Sequence, residues 1–253
     1  MKWSIRLTSS ALFIFVILFL TSTASAGLIA NWTFETATPA DLDNSPSHPA
    51  ISANSGSGNA SGVHALAATD WSTPAGNGSA NSFSSNNWSI GDYYQFQVSS
   101  LGMENLTFSW DQTRSGAGPA NFSLQYSTDG ASLTNFFAYT VGITSWSSGS
   151  THGPSQRTQD LSAISALDND DNIYFRLRAT SAPTDTAGAS RIDNISISGS
   201  QIASVPEPST FLLGLVGMSV FGVRQWHRRI SVPQGRNPAP VVLASCQCSC
   251  DKA

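Results

Sequence analysis

Tyr93-Tyr94-Gln95-Phe96-Gln97-Val98 alternates apolar and polar side chains, and so does Leu106-Thr107-Phe108-Ser109-Trp110-Asp111. A period of two puts Tyr94, Phe96 and Val98 on one face of a strand and Tyr93, Gln95 and Gln97 on the other. One face seeks a core; the other meets water. The pattern recurs at Phe122-Ser123-Leu124-Gln125-Tyr126-Ser127 and at Ile173-Tyr174-Phe175-Arg176-Leu177-Arg178. Thr128-Asp129-Gly130 has hairpin-turn chemistry, with Gly130 suited to a left-handed position, so residues 136–141 read as the return strand.

Outward from this block the strands are shorter. Residues 28–34 form a first strand that Glu35 ends, and residues 156–161 a short polar one. Residues 161–167 read as the one helical turn. In the last strand, residues 191–197, Ile195 and Ile197 share a face while Ile192 falls out of phase. A bulge near Asp193 and Asn194 restores it. Residues 36–80, with Pro39, Pro46 and Pro49, read as loops with one or two short strands. About eight to ten short strands without a helical domain predict an all-β sandwich of jelly-roll type.

Charged residues make up 11% of the chain, against roughly 25% in typical domains, and the net charge is −4. No basic face exists in the body, which excludes nucleic acid as a partner. All three cysteines, Cys246, Cys248 and Cys250, follow the body, so no disulfide framework holds it. His48, His64 and His152 sit in Gly/Pro/Ser-rich stretches without metalloenzyme spacing, and no serine lies in a Gly-x-Ser-x-Gly turn. Nothing here points to catalysis.

The ends carry targeting chemistry. Lys2 and Arg6 precede an apolar stretch that is densest over residues 11–20, and Ala24-Ser25-Ala26 is an Ala-x-Ala cleavage site. Residues 1–26 are a signal peptide for signal peptidase, and the mature chain begins at Gly27. Near the other end, Val205-Pro206-Glu207-Pro208-Ser209-Thr210 is followed by an uncharged apolar run, residues 211–223, and by a basic cluster with Arg224, Arg228 and Arg229. The run spans roughly 20 Å as a helix, short for a bilayer core of about 30 Å. The arginines supply a stop-transfer, positive-inside flank, which makes the run a C-terminal transmembrane helix. Residues 27–204 are the β-sandwich domain, and residues 230–253 a disordered cytoplasmic tail.

The order of motif, apolar run and basic stop over residues 205–229 resembles the PEP-CTERM sorting signal of exported bacterial proteins. The resemblance implies cutting near Pro206-Glu207-Pro208 by exosortase, a membrane-embedded transpeptidase. The chain would be anchored in the inner membrane at first, then passed to the cell surface or beyond. Asn31-Trp32-Thr33-Phe34-Glu35 and Arg191-Ile192-Asp193-Asn194-Ile195 resemble the paired terminal strands of galactose-binding-like jelly rolls and carbohydrate-binding modules. Three roles follow as expectations: a non-enzymatic surface or matrix protein associated with extracellular polysaccharide, a secreted carbohydrate-active hydrolase, or a purely structural surface protein.

Two sets of residues are singled out. Trp71, Trp88 and Trp146 lie beside polar loop residues, unlike the core candidates Trp32 and Trp110. Such rings either stack on sugars or cap the ends of the sandwich. Glu35 and Asp193 lie on strands that a jelly roll brings together. A structural Ca²⁺ would relieve their repulsion, with Asp111 or Asp43 as a third carboxylate.

Overall fold

The computed structural model describes residues 26–203. Ala24, the motif at 205–210, the apolar run 211–223, Arg224, Arg228, Arg229 and the tail with Cys246, Cys248 and Cys250 lie outside the described residues. Among the described residues no helix is long and apolar enough to cross a membrane.

Two antiparallel sheets face each other. The strands are β1 (Ala26–Trp32), β2 (Ser47–Ser52), β3 (Ser55–Gly56), β4 (Gly58–Val63), β5 (Trp71–Ser72), β6 (Phe83–Ser85), β7 (Tyr93–Val98), β8 (Met103–Arg114), β9 (Asn121–Ser127), β10 (Thr134–Thr140), β11 (Gln156–Asp160), β12 (Ile173–Ala179) and β13 (Ser190–Gln201). The first sheet runs β11-β8-β13-β1-β3, with β6 paired to β13 and β5 to β6; the second runs β10-β9-β12-β7-β4-β2. This is the expected jelly-roll sandwich. Among the described residues helix is confined to two 3-10 turns, Gly153–Ser155 and Ser165–Leu167, the second inside the expected helical turn.

The period-two strands drive the packing. Leu106, Phe108 and Trp110 of β8 face Phe96 of β7 and Phe175 of β12, and all five are fully enclosed. Phe108 meets Phe96 at 5.7 Å and Phe175 at 5.1 Å between ring centres, and Trp32 meets Phe96 at 5.3 Å. Such tilted aromatic contacts across the two sheets fill the core without disulfides. Gly130 has φ 72, as its turn requires. In β13 the register to β8 shifts between Asp193 and Ser196, and Asn194 has φ 49, so the bulge lies where the phase of the isoleucines puts it.

Residues 36–80 are richer than expected, since β2 to β5 all lie there. β4 is Gly58-Asn59-Ala60-Ser61-Gly62-Val63, without one large apolar residue facing in. A Cβ at Gly62 would overlap the Trp71 ring, and one at Gly58 would lie 3.1 Å from the Trp32 ring. The core volume over β4 therefore comes from tryptophans on other elements, and the hydrophobic signal of the strand is missing.

Candidate functional site

The outer face of the six-stranded sheet is built by the polar halves of the alternating strands. Register places Arg176 of β12 opposite Gln95 of β7 and Gln125 of β9, and Tyr174 opposite Gln97 and Ser127. Arg176 Nε donates to Gln95 Oε1 at 2.7 Å, and its guanidinium lies 4.1 Å over the Tyr93 ring. Gln97 Nε2 donates to Asn172 Oδ1 at 2.7 Å, and Asn172 Nδ2 to the Tyr174 hydroxyl at 2.7 Å. Gln125 Nε2 donates to Asn135 Oδ1 at 2.7 Å. Tyr93, Gln95, Gln97, Tyr174, Arg176 and Arg178 are each half-buried. The result is a ladder of fixed amides and guanidinium groups between two tyrosines, with donors and acceptors held on strands.

On the outer face of the seven-stranded sheet, Asp111 and Asp193 are direct cross-strand partners, and both are buried. The structure thus unites two of the three carboxylates expected at an ion site. Their neighbours are donors. Asp193 Oδ2 accepts from Asn77 N at 2.8 Å and from Ser79 Oγ at 2.5 Å, and Asp193 Oδ1 accepts from Asn194 N at 2.7 Å. Asp111 Oδ2 accepts from the Nδ2 groups of Asn77 and Asn194, both at 2.9 Å. His152 N donates to Asn77 Oδ1 at 2.6 Å, which fixes the amide so that its N–H, not its oxygen, turns to Asp111. Glu35 is engaged elsewhere, accepting from Asn81 N at 2.8 Å. Among the described residues no three His, Cys, Asp or Glu side chains cluster as a metal site would need, Asp43 included. A Ca²⁺ needs converging oxygens, so these side chains do not fit one. Burial, aided by the Asp111 charge, pushes the Asp193 carboxyl up to about 6, and burial raises Asp111 as well.

The three candidate tryptophans are not a platform. Trp71, Trp88 and Trp146 are 1%, 2% and 6% exposed. Each indole N–H finds a partner inside: Ser45 O at 2.9 Å, Ser85 O at 2.9 Å and Ser155 Oγ at 3.0 Å. Two of these acceptors are distant in sequence, Ser45 from Trp71 and Ser155 from Trp146, so linear neighbours do not disclose them. Trp71 stacks on Phe83 at 5.1 Å, and Trp88 packs on Phe122 at 5.5 Å.

Under Trp71 and Trp88 lies an arrangement that linear spacing does not disclose. Ser85 Oγ is 3.2 Å from His64 Nε2, and His64 Nδ1 is 3.3 Å from Asp92 Oδ2. The order is that of a serine–histidine–aspartate triad, but His64 Nδ1 makes no hydrogen bond. Ser85 and His64 are 1% and 3% exposed, and the Ser85 hydroxyl also meets the Tyr94 hydroxyl at 3.0 Å. A hydroxyl enclosed in this way is closed to substrate. Burial lowers the His64 imidazole to about 4, so it is neutral at pH 7.

Comparisons with known proteins complete the description. No curated protein matches the chain significantly. Among solved structures, the CBM22-1–GH10 modules of xylanase 10B from Clostridium thermocellum, complexed with xylohexaose, are 11% identical. That match covers 72% of this chain and 30% of the other, with a TM-score of 0.39. The K3 cleaved adhesin domain of Lys-gingipain from Porphyromonas gingivalis W83 is 17% identical, with 68% and 100% covered and a TM-score of 0.37. The N-terminal cellulose-binding domain of β-1,4-glucanase C from Cellulomonas fimi is 12% identical, with 53% and 85% covered and a TM-score of 0.33. Superposition at this level says nothing of ligand or activity. Residues 204–229 match the family model described as the PEP-CTERM protein-sorting motif, the signal of an exported protein that is membrane-anchored before it is processed.

Proposed function

We propose that the body is a non-catalytic glycan-binding module, displayed outside the cell after exosortase cuts near Pro206-Glu207-Pro208, and that its ligand is an extracellular polysaccharide. The observation that carries this reading is the outer face of β7, β9 and β12. Tyr93 and Tyr174 stand on adjacent strands, with Tyr93 opposite Arg178 and Tyr174 opposite Gln97. The offset is four residues, roughly 13 Å along the strands. That spacing suits an oligosaccharide laid across the face, with tyrosines against sugar faces and Gln95, Gln97 and Arg176 at its hydroxyls. The interlocked side chains lose little freedom on binding, which favours affinity.

The test uses the full chain purified in detergent, applied to a glycan array and then to affinity electrophoresis in gels cast with the polysaccharides that score. A retained polysaccharide is expected, without release of reducing ends. Tyr93→Ala and Tyr174→Ala should each weaken retention about tenfold, the effect of losing a central aromatic contact. Retention of no glycan would leave a purely structural surface protein as the better reading, and retention by both variants equal to wild type would remove this face as the binding site.

A further inference from the structure

A second cleft, on the edge of the other sheet, has a different chemistry. It encloses about 370 Å³ where the end of β8, the start of β13 and the segment around Trp146 meet. Arg114, Arg191, Thr113, Thr144, Ser145 and Trp146 line it, and no carboxylate does. Arg114 is pinned by backbone oxygens: its Nε donates to Val141 O at 2.9 Å, and its Nη1 to Ser115 O at 3.3 Å, Gly116 O at 3.1 Å and Gly118 O at 3.2 Å. Arg191 Nη1 donates to Ala75 O at 2.9 Å. Carbonyls hold both guanidinium groups in place but neutralise neither.

Among the described residues no carboxylate lies within ion-pair distance of either arginine. Asp193, two residues along β13 from Arg191, is buried and bound to the 77–79 loop. Both guanidinium groups are half-buried, and their charge is offset by backbone dipoles alone, which leaves it available to an incoming anion. Burial lowers the Arg191 guanidinium from its usual range.

We infer that this cleft is an anion subsite that takes the carboxylate of an acidic sugar residue. The inference rests on the glycan-binding reading above and adds the class of polymer. A planar carboxylate matches the fork of Arg191, which spends only Nη1 on a carbonyl, and the hydroxyls of Thr144 and Ser145 supply the uncharged contacts a sugar ring needs. An inorganic anion shares the charge but not those contacts.

The full chain in detergent is titrated with polygalacturonate and with the same polymer fully methyl-esterified, each with and without sodium sulfate at constant ionic strength. Wild type should prefer the acidic polymer by about tenfold, the worth of one charge-assisted pair. Arg191→Gln should erase the preference. Ser145→Glu, at an exposed position on the rim, should do the same without touching the core. No preference in wild type, a preference that survives both variants, or a preference that sulfate abolishes would overturn the inference. If Tyr93→Ala and Tyr174→Ala weaken both polymers while Arg191→Gln changes nothing, the cleft falls and the sheet-face reading stands. If Arg191→Gln abolishes the preference while the tyrosine variants bind both polymers normally, the sheet face falls and the cleft stands.

Discussion

Asn77 spans two roles with one amide, taking the His152 N–H at Oδ1 and giving its own N–H to Asp111. Hydrogen bonds of this kind surround the Asp111–Asp193 pair with donors. The consequence is measurable as a function of pH. Unfolded, an aspartate titrates near 3.8; folded, Asp193 titrates near 6. The folded state therefore binds more protons between these values, and this group adds stability as pH falls from about 6 toward 3.8. His64 acts in the opposite sense. Its imidazole titrates near 6.5 unfolded and near 4 folded, so its contribution is lost as pH falls through that window. Asp92, raised by burial beside it, opposes that loss. Melting temperatures between pH 7 and 4 should fall more steeply with acid in Asp193→Asn than in wild type, and less steeply in His64→Gln. Wild-type curves with Ca²⁺ and with chelator should superimpose; a rise with Ca²⁺ would restore the calcium site to consideration. The two aspartates were visible in the sequence, but Asn77 was not. A loop asparagine before a glycine carries no signal that separates turn chemistry from a buried strut.

Among the elements, legibility followed where the core volume resides. β7, β8, β9 and β12 supply their own large apolar side chains, and the period of two exposes them. β4 supplies glycine and alanine, because rings from Trp32 and Trp71 occupy the space above it. The tryptophans misled for the complementary reason: their polar neighbours suggested solvent, while the indole N–H groups found oxygens inside. Gly62 tests this account. The Trp71 indole is tied to Ser45 O and stacked on Phe83, so it has no free direction to move. Gly62→Ala should destabilise the body by about 1–3 kcal/mol, the usual cost of overpacking. The readout is a lower urea midpoint with unchanged slope. A midpoint equal to wild type would show that the ring yields.

At the scale of the molecule, the sorting motif at 204–229 was the most legible part, because it depends on linear order and not on packing. The sandwich adds where the ends of the body lie. β1 and β13 pair with Ala26 opposite Ser200 and Gly27 opposite Gly199. The chain therefore enters and leaves the body at the same end of one sheet. Intact-mass analysis of protein recovered from outside the cell should show a chain that begins at Gly27 and lacks the segment with Cys246, Cys248 and Cys250. A mass that retains that segment would refute processing at the sorting motif. The binding faces were half legible. The polar alternation marked the outer residues of β7 and β12, but no spacing could announce that Arg114 and Arg191 share a cleft.

The place of β13 has a mechanical meaning. It lies between β8 and β1, paired to β8 from Ser190 to Gln201 and to β1 from Ile195 to Ser200. A pull on the chain beyond Ala203 enters the body along this strand. Two flanking ladders then share the load, whereas an edge strand has one. If the proposed module is held by its tail while it binds a polymer, it is loaded through a strand braced on both sides.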